Sequence, residues 1–309
     1  MNEGDSQVPS GLVAVGTKPL AVRAATLIER GLALAQSVRS GHAEAHYELG
    51  VALHNRGDWD GAIAEYRQAL RLNPKDSGAH FRVGMALGER GDLDGKIAEY
   101  REALRLNPNS DLWHFALALA LYEKCDWDGA IAECREALRL DPNLAATHVY
   151  LASALNKKCE SDGAIAECDE ALRFDPNDAL AHQELGVALD HKGDWDGAIA
   201  EHREALRLEP NDAMGHHYLS FALAHKGDWD GAIAEAREAL RLDPNDAPGH
   251  CSLGLALGIT GDRRGALEEL RIAYTLDPNN AEYYEQLLHE VGGVWPSPKD
   301  GHDQEEDRS

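Results

Sequence analysis

The stretch AHQELGVALDHKGDWDGAIAEHREALRLEPND, residues 181–212, returns almost unchanged as GHHYLSFALAHKGDWDGAIAEAREALRLDPND at residues 215–246. Seven copies of this unit run head to tail from Ala43 to Asn280 with a period of 34 residues. They are called repeats one to seven and begin at Ala43, Ser77, Asp111, Ala145, Ala179, Ala213 and Ala247. A fixed period in this range indicates an array in which each unit packs only on its neighbours.

Proline and glycine divide each repeat into two helices. Proline stands at position 32 of every repeat, and because it disfavours helix in the residue before it, it closes the unit. Position 15 is glycine in five repeats, which suits the left-handed residue at the end of a helix. Cys125 and Cys159 take that position in repeats three and four. The pattern predicts one helix over positions 1–14 and a second over positions 18–31.

The packing positions are regular, and they include a histidine. Leucine or valine fills position 7, a small residue fills position 8, and alanine fills position 27. Position 4 is histidine in all seven repeats, from His46 to His250. Equivalent residues in neighbouring repeats stand about one helix layer apart, roughly 10 Å, which is too far for shared metal ligation. We therefore expect these histidines to pack between helices and predict no metal site.

This pattern resembles the tetratricopeptide repeat (TPR) family. The match consists of the 34-residue period, Leu-Gly at positions 7 and 8, alanine at 20 and 27, an aromatic residue at 24 (Tyr66, Tyr100) and proline at 32. It covers 238 of the 309 residues, from 43 to 280. The resemblance implies an all-α fold, a right-handed superhelical solenoid of stacked helical hairpins. It also implies that the first helices line a concave groove for peptide segments.

Binding in this family uses positions 2, 5, 6, 9, 12 and 13 of the first helices. Here those positions vary while the packing positions do not, and many are apolar or aromatic, which predicts an apolar groove for a partner peptide. The residues expected to contact that peptide are Tyr47, Phe81, Met85, Phe115, Leu119, Tyr122, Val149, Asn156, Gln183, Val187, His217 and Phe221. The alternative is that some of them face a neighbouring helix. No three consecutive repeats carry the lysine and asparagine set that holds acidic chaperone tails in this family.

Composition excludes several classes of partner. The chain has 30 basic and 54 acidic residues, a net charge of −24, which would repel nucleic acid and anionic lipid.

No apolar run approaches the roughly 20 residues that span a bilayer, and no secretory signal is visible. The five cysteines do not form a disulfide framework, so we expect buried free thiols and a cytoplasmic location.

The ends differ from the array. Residues 1–17 look flexible, and residues 18–42 form a candidate amphipathic helix that would cap repeat one. Residues 281–291 continue as the first helix of an incomplete eighth unit and would cap the other end. Residues 292–309 are acidic and predict a disordered tail.

The sequence favours a noncatalytic scaffold for protein–protein interaction, and we expect no cofactor. It has no glycine-rich phosphate loop, nucleophile elbow or zinc-protease motif. Two alternatives stay open. The chain could be a regulatory or substrate-recruiting subunit of a separate enzyme. It could also be a self-assembling array, with weak self-association through its end repeats.

Overall fold

A computed structural model of the protein describes residues 20–290, and within them every regular element is a helix. The predicted all-α fold of stacked helix pairs is confirmed. The predicted flexible N-terminus (1–17) and acidic tail (292–309) lie outside the described residues. The chain divides into two compact units, Met1–Asn107 (unit 1) and Pro108–Ser309 (unit 2).

Unit 1 contains repeats one and two. Its helices are α1 (Leu20–His54), α2 (Trp59–Leu72), α3 (Ser77–Glu89) and α4 (Leu93–Leu106), and each packs on the next. Helix α1 is continuous, so it contains both the predicted capping segment from residue 20 onward and the first helix of repeat one. The residue directly before Ala43 is His42 and not a short acceptor, and residues 20–42 contain no proline, which explains why no break separates the two parts.

Unit 2 contains repeats three to seven. Its helices are α5 (Asp111–Glu123), α6 (Trp127–Leu140), α7 (Ala145–Lys157), α8 (Ser161–Phe174), α9 (Ala179–Lys192), α10 (Trp195–Leu208), α11 (Ala213–Lys226), α12 (Trp229–Leu242), α13 (Ala247–Thr260), α14 (Arg263–Leu276) and α15 (Ala281–Glu290). Each helix packs on the next in sequence. Tyr284 and Leu287 of α15 are buried against Cys251, Leu270 and Ala273.

The helix ends follow from the repeated local signals. Asp58 begins α2 by accepting a hydrogen bond from the Gly61 N–H at 2.9 Å. A Cβ on Gly61 would lie 2.5 Å from Asp58 Oδ2, so the capping geometry itself requires glycine there. The predicted left-handed residue is confirmed, with φ of 78° at Gly57 and of 60° and 57° at Cys125 and Cys159.

Side-chain sizes at positions 8 and 24 complement each other within each repeat. In repeat two, a Cβ on Gly84 would lie 2.6 Å from the buried ring of Tyr100. In repeat four, position 8 is Ala152 and its partner is the smaller Cys168, both fully buried. In repeats three, four and six a smaller residue at position 24 accompanies a larger one at position 8, whereas repeats five and seven keep glycine at position 8 against His202 and Leu270.

The position-4 histidines join the two helices of each repeat, which confirms their predicted interhelical role. The Nδ1 atom of each lies 2.6 Å from a glutamate 19 residues later, as in His148–Glu167 and His216–Glu235. In repeats three to seven the Nε2 atom also approaches the proline carbonyl that closes the preceding segment, at 3.1 Å for His148 and Pro142. Both partners of the ring only accept hydrogen bonds, so the protonated imidazole satisfies both contacts.

Candidate functional site

The first helices of unit 2 lie side by side, because α5, α7, α9, α11 and α13 contact one another in that order. We call them the first-helix row. The variable positions of repeats three to seven lie on these helices, so nine of the twelve predicted contact residues belong to the row: Phe115, Leu119, Tyr122, Val149, Asn156, Gln183, Val187, His217 and Phe221.

The other three predicted contact residues are half-buried in unit 1. The ring of Tyr47 packs against Tyr66 with centroids 5.7 Å apart. Phe81 stacks on Tyr100 at 4.8 Å, and Met85 lies one turn further along α3. Each of these side chains is therefore partly used in packing within unit 1 and partly accessible.

An aromatic cluster occupies the beginning of the first-helix row. Phe115, Leu119 and Tyr122 lie on one face of α5, and all three are half-buried. The Tyr150 ring of α7 contacts Phe115 and Tyr122 edge-on, with centroid distances of 5.6 and 6.1 Å. These contacts join α5 to α7 and leave part of each ring accessible.

A polar network continues from this cluster across three helices. The Tyr122 hydroxyl lies 2.7 Å from Ser153 Oγ, and Ser153 donates to Glu184 Oε1 at 2.7 Å. Asn156 donates from Nδ2 to Glu184 Oε2 at 2.8 Å and to the Glu184 main-chain oxygen at 2.8 Å. The network connects α5, α7 and α9 and fixes the position of the Glu184 carboxylate.

Two predicted contact residues on α7 are covered by the protein itself. Val149 is 1% exposed and packs with Ala171 and Ala181, and Asn156 is 3% exposed. For both, the alternative that they face a neighbouring helix describes the structure. Gln183 and Val187 on α9 are half-buried and retain accessible surface.

An open apolar cavity lies farther along the row, between α11 and α13. Its volume is about 220 Å³. The lining residues are Ser220, Phe221, Ala224, His225, Trp229, Ser252, Leu255, Ala256 and Ile259. Phe221 and Ile259 remain 41% and 58% exposed, although both are large and apolar. The His225 ring contacts Phe221 at 4.4 Å and stacks on Trp195 at 4.3 Å, which supports one wall.

Between the polar network and the cavity lie His217 and Tyr218 of α11. Burial lowers the pKa of His217, while Asp246, whose Oδ2 is 3.8 Å from His217 Nδ1, opposes that shift. Tyr218 stacks on the His202 ring with centroids 5.7 Å apart. Burial and the negative charge of Glu184 raise the pKa of Tyr218 to about 12, so its hydroxyl stays protonated at neutral pH.

Sequence reasoning missed several residues of this surface. Tyr150, Glu184 and Tyr218 occupy position 6, which belongs to the family's binding positions. They are polar or carry a hydroxyl, so their apolar character does not mark them as anchors. Trp229 also lines the cavity, although it lies on a second helix and outside the family's binding positions.

The cysteines are free thiols; Cys134, Cys168 and Cys251 are buried as predicted, whereas Cys125 and Cys159 are exposed because they occupy the turn between the two helices of their repeats. Burial raises the pKa of the Cys134 and Cys251 thiols to about 12 and about 11, so both are protonated at neutral pH. Among residues 20–290, no group of three histidine, cysteine or acidic side chains is arranged to hold a metal ion. In the same range, no helix combines the length and apolarity that a membrane span requires.

Comparisons with known proteins agree on one family. Tetratricopeptide repeat models match residues 43–76, 81–145, 115–179 and 167–200, and a model described as TPR repeat matches residues 221–261. A search of curated proteins found no match.

Solved structures show a similar fold. A tetratricopeptide repeat protein from Parabacteroides merdae aligns with a TM-score of 0.67 at 15% identity, over 82% of this chain and 100% of that one. The APC/C hetero-tetramer Cut9–Hcn1 aligns with a TM-score of 0.66 at 20% identity, over 78% and 48%. MamA aligns with a TM-score of 0.52 at 23% identity, over 56% and 94%. At these identities the likeness concerns the fold alone.

Proposed function

Because the chain belongs to the tetratricopeptide repeat family, we propose that it is a noncatalytic scaffold that binds a partner peptide along the first-helix row of unit 2. Proteins built from these repeats generally serve as interaction scaffolds. The observation that carries the finer proposal is the open cavity between α11 and α13, with Phe221 and Ile259 exposed at its mouth. Exposed apolar surface with polar neighbours is characteristic of partner sites.

The mechanism is display of a preformed surface. The cavity is walled by side chains on three rigid helices, so a peptide side chain that enters it meets an ordered site. A preformed site lowers the ordering cost of binding, which is otherwise subtracted from the affinity. An aliphatic or aromatic side chain of the partner would be the anchor, since such residues dominate the energetics of small interfaces.

The proposed partner is a protein segment and not nucleic acid or a membrane. The net charge of −24 supports this choice, because nucleic acid and anionic lipid carry charge of the same sign. Tyr47, Phe81 and Met85 are a second, smaller contact surface in unit 1 under the same proposal. We retain weak self-association as a property to be measured by sedimentation of the full chain.

The test is a selection of random displayed peptides on the full chain, followed by affinity measurements on the selected peptides. We expect Phe221→Glu to weaken binding at least about tenfold, because a buried charge replaces an anchor wall. Phe174→Glu is the matched control, since Phe174 is 45% exposed at the end of α8 and does not line the cavity. Failure to select any peptide, or equal binding by Phe221→Glu and wild type, would contradict the proposal.

A further inference from the structure

Glu184 on α9 is a half-buried carboxylate whose side-chain hydrogen-bond donors are both neutral. Ser153 and Asn156 reach it from α7 at 2.7 and 2.8 Å. The second bond from Asn156, to the Glu184 main chain, holds the two helices in register. A charge partly withdrawn from water is costly unless an opposite charge accompanies it.

Other carboxylates of the same repeat do have cationic partners. Lys226 Nζ lies 2.5 Å from Asp196 Oδ2, and Arg207 Nη2 lies 2.7 Å from Glu204 Oε1. Across residues 20–290, no lysine, arginine or histidine comes within ion-pair distance of Glu184. Glu184 therefore has no cationic partner among residues 20–290.

Aromatic rings lie near this carboxylate on both neighbouring sides of the row. Tyr122 is linked to it through Ser153, and Tyr150 contacts Tyr122. The charge of Glu184 also acts on Tyr218 of α11, after burial the largest influence that raises the pKa of that phenol. Tyrosine rings attract cations to their faces, so they add to the attraction of the carboxylate.

A buried acceptor at the same place has no partner. Asn156 is 3% exposed, and its Nδ2 makes both bonds to Glu184, whereas its Oδ1 is buried without a hydrogen bond. An unsatisfied buried acceptor is rare and costly. The hydrogen bonds of this amide therefore both go to Glu184, and they fix the carboxylate from the buried side.

We propose that Glu184, Tyr122, Tyr150 and Tyr218 form a recognition site for an arginine side chain of the bound peptide, with the buried Asn156 holding the carboxylate in place. The inference rests on the proposed peptide-binding function and adds a chemical requirement for the partner. A guanidinium carries five N–H donors and no acceptor, which matches a carboxylate that has only neutral donors. It also stacks on aromatic faces, whereas a lysine ammonium is a compact and more strongly hydrated charge.

The site also sets the spacing of the partner's recognition elements. Glu184 lies on α9 and the apolar cavity lies between α11 and α13, one to two helix layers farther along the row. With about 8–10 Å per layer, the two sites are roughly 10–15 Å apart. An extended peptide covers that distance in about three to five residues. The arginine and the apolar anchor of one partner should be separated accordingly.

The decisive variant is Glu184→Gln in the full chain. Glutamine keeps the shape of the network, because its oxygen can accept from Asn156 while its amide donates to Ser153, whose hydroxyl then donates to Tyr122. Only the charge is removed. Asp169→Asn is the matched control, since Asp169 is exposed on α8 and its substitution changes the net charge equally.

The experiment measures affinities of the selected peptides, each also synthesised with arginine replaced by citrulline, its neutral isostere. We expect selected peptides to be enriched in arginine, with binding about tenfold or more weaker after either the citrulline change or Glu184→Gln. Asp169→Asn should bind as wild type does. Selected peptides that bind Glu184→Gln and wild type equally, or that tolerate citrulline, would overturn the arginine site and leave the proposed peptide function standing.

A second probe separates the two failures. If no peptide is selected, the peptide-binding function fails, and N-acetyl-arginine methylamide is titrated into the protein with binding followed by calorimetry and by total tryptophan fluorescence. Trp127, one of the six tryptophans, lies 4.9 Å from Tyr122 and contributes to that signal. Saturable binding that disappears in Glu184→Gln would support the arginine site independently. No binding, or equal binding by the variant, would overturn it.

Discussion

Repeats four and six of unit 2 solve the same folding problem with different means. In repeat six, Asp212 and Asp228 cap both helices, and Gly227 provides the left-handed end at φ 86°. In repeat four, the residues at the two helix starts are Leu144 and Glu160, and neither makes a side-chain capping bond. Its left-handed residue is Cys159, with φ 57°.

The first helix of repeat four, which has the weaker local signals, buries more residues than the first helix of repeat six. Nine residues of α7 in repeat four are buried, whereas five are buried in α11 of repeat six. Ser153 and Asn156 of α7 bond to a neighbouring helix, while Phe221 of α11 stays exposed beside the cavity. Tertiary packing thus replaces local signals in repeat four. In repeat six, where the local signals are strong, the first helix leaves more of its surface exposed.

The largest expected effect is on stability, in the repeat where buried side chains replace local capping signals. Leu151→Ala in repeat four removes a side chain that is 1% exposed, so we expect the free energy of unfolding to fall by about 3 kcal/mol. Phe221→Ala in repeat six removes a side chain that is 41% exposed and should cost about 1 kcal/mol or less. Urea unfolding followed by circular dichroism measures both. Equal losses of unfolding free energy would contradict the difference in burial between Leu151 and Phe221.

The second-largest effect concerns the capping side chain and the left-handed glycine that repeat four lacks. Cys159→Gly removes the strain of a non-glycine residue in the left-handed region and should stabilise the protein by about 1 kcal/mol. Glu160→Asp supplies the short capping side chain found at Asp228 and should add about 1 kcal/mol.

The reverse changes in repeat six provide the control for these two substitutions. Gly227→Cys and Asp228→Glu should each lower stability by a similar amount, because there the local signals are intact. The melting temperature of each single variant is the measurement. A gain from the repeat-four changes without a loss from the repeat-six changes would contradict the view that both repeats use the same local rules.

The sequence predicted the features that depend on local chemistry. The proline closures, the left-handed residues at Gly57 and Cys159 and the two helices of each repeat all follow from backbone geometry. It did not predict the burial of Val149 and Asn156, because both occupy positions that commonly face a partner. Whether such a position is covered depends on the side chains of two neighbouring repeats, which the period alone does not specify.

The sequence predicted only part of the candidate site, because the surroundings of each residue depend on neighbouring repeats. Phe221 was identified because a large apolar residue at a variable position indicates a contact surface. Glu184 was missed because acidic residues are abundant throughout this chain. Only the structure shows that its donors are neutral and that an adjacent amide oxygen has no partner.

The third effect is a pH dependence of opposite sign in the two repeats. Hydrogen bonding to Glu167 raises the pKa of His148 above 6.5. Burial opposes this shift, and the Pro142 carbonyl and the charge of Glu170 add to it. Its stabilisation is complete below pH 6.5 and is lost as pH rises through the folded-state pKa. Burial lowers the pKa of His217 below 6.5 despite Asp246, so its contribution is lost as pH falls through the folded-state pKa.

Unfolding free energies measured from pH 5 to pH 8 check these signs, and we expect changes smaller than those of the capping variants. His148→Gln should remove a decline of stability above pH 6.5, and His217→Gln should remove a decline below it. His191→Gln, an exposed position at the end of α9, controls for the loss of a histidine. Identical pH profiles for the His148 and His217 variants would contradict the assignment.

The smallest effect is expected where the two repeats are alike. Arg173 pairs with Glu170 at 2.7 Å in repeat four, and Arg241 pairs with Glu238 at 2.7 Å in repeat six. Both arginines are mostly exposed, at 73% and 60%, so water screens the attraction and the fixed side chains lose entropy. Arg173→Ala and Arg241→Ala should therefore leave the thermal midpoint at pH 7 unchanged within the error of the scan. A clear loss in repeat four alone would mean that this repeat, which lacks capping bonds, depends on its outer ion pair, and the contrast between the two repeats would then extend to their exposed faces.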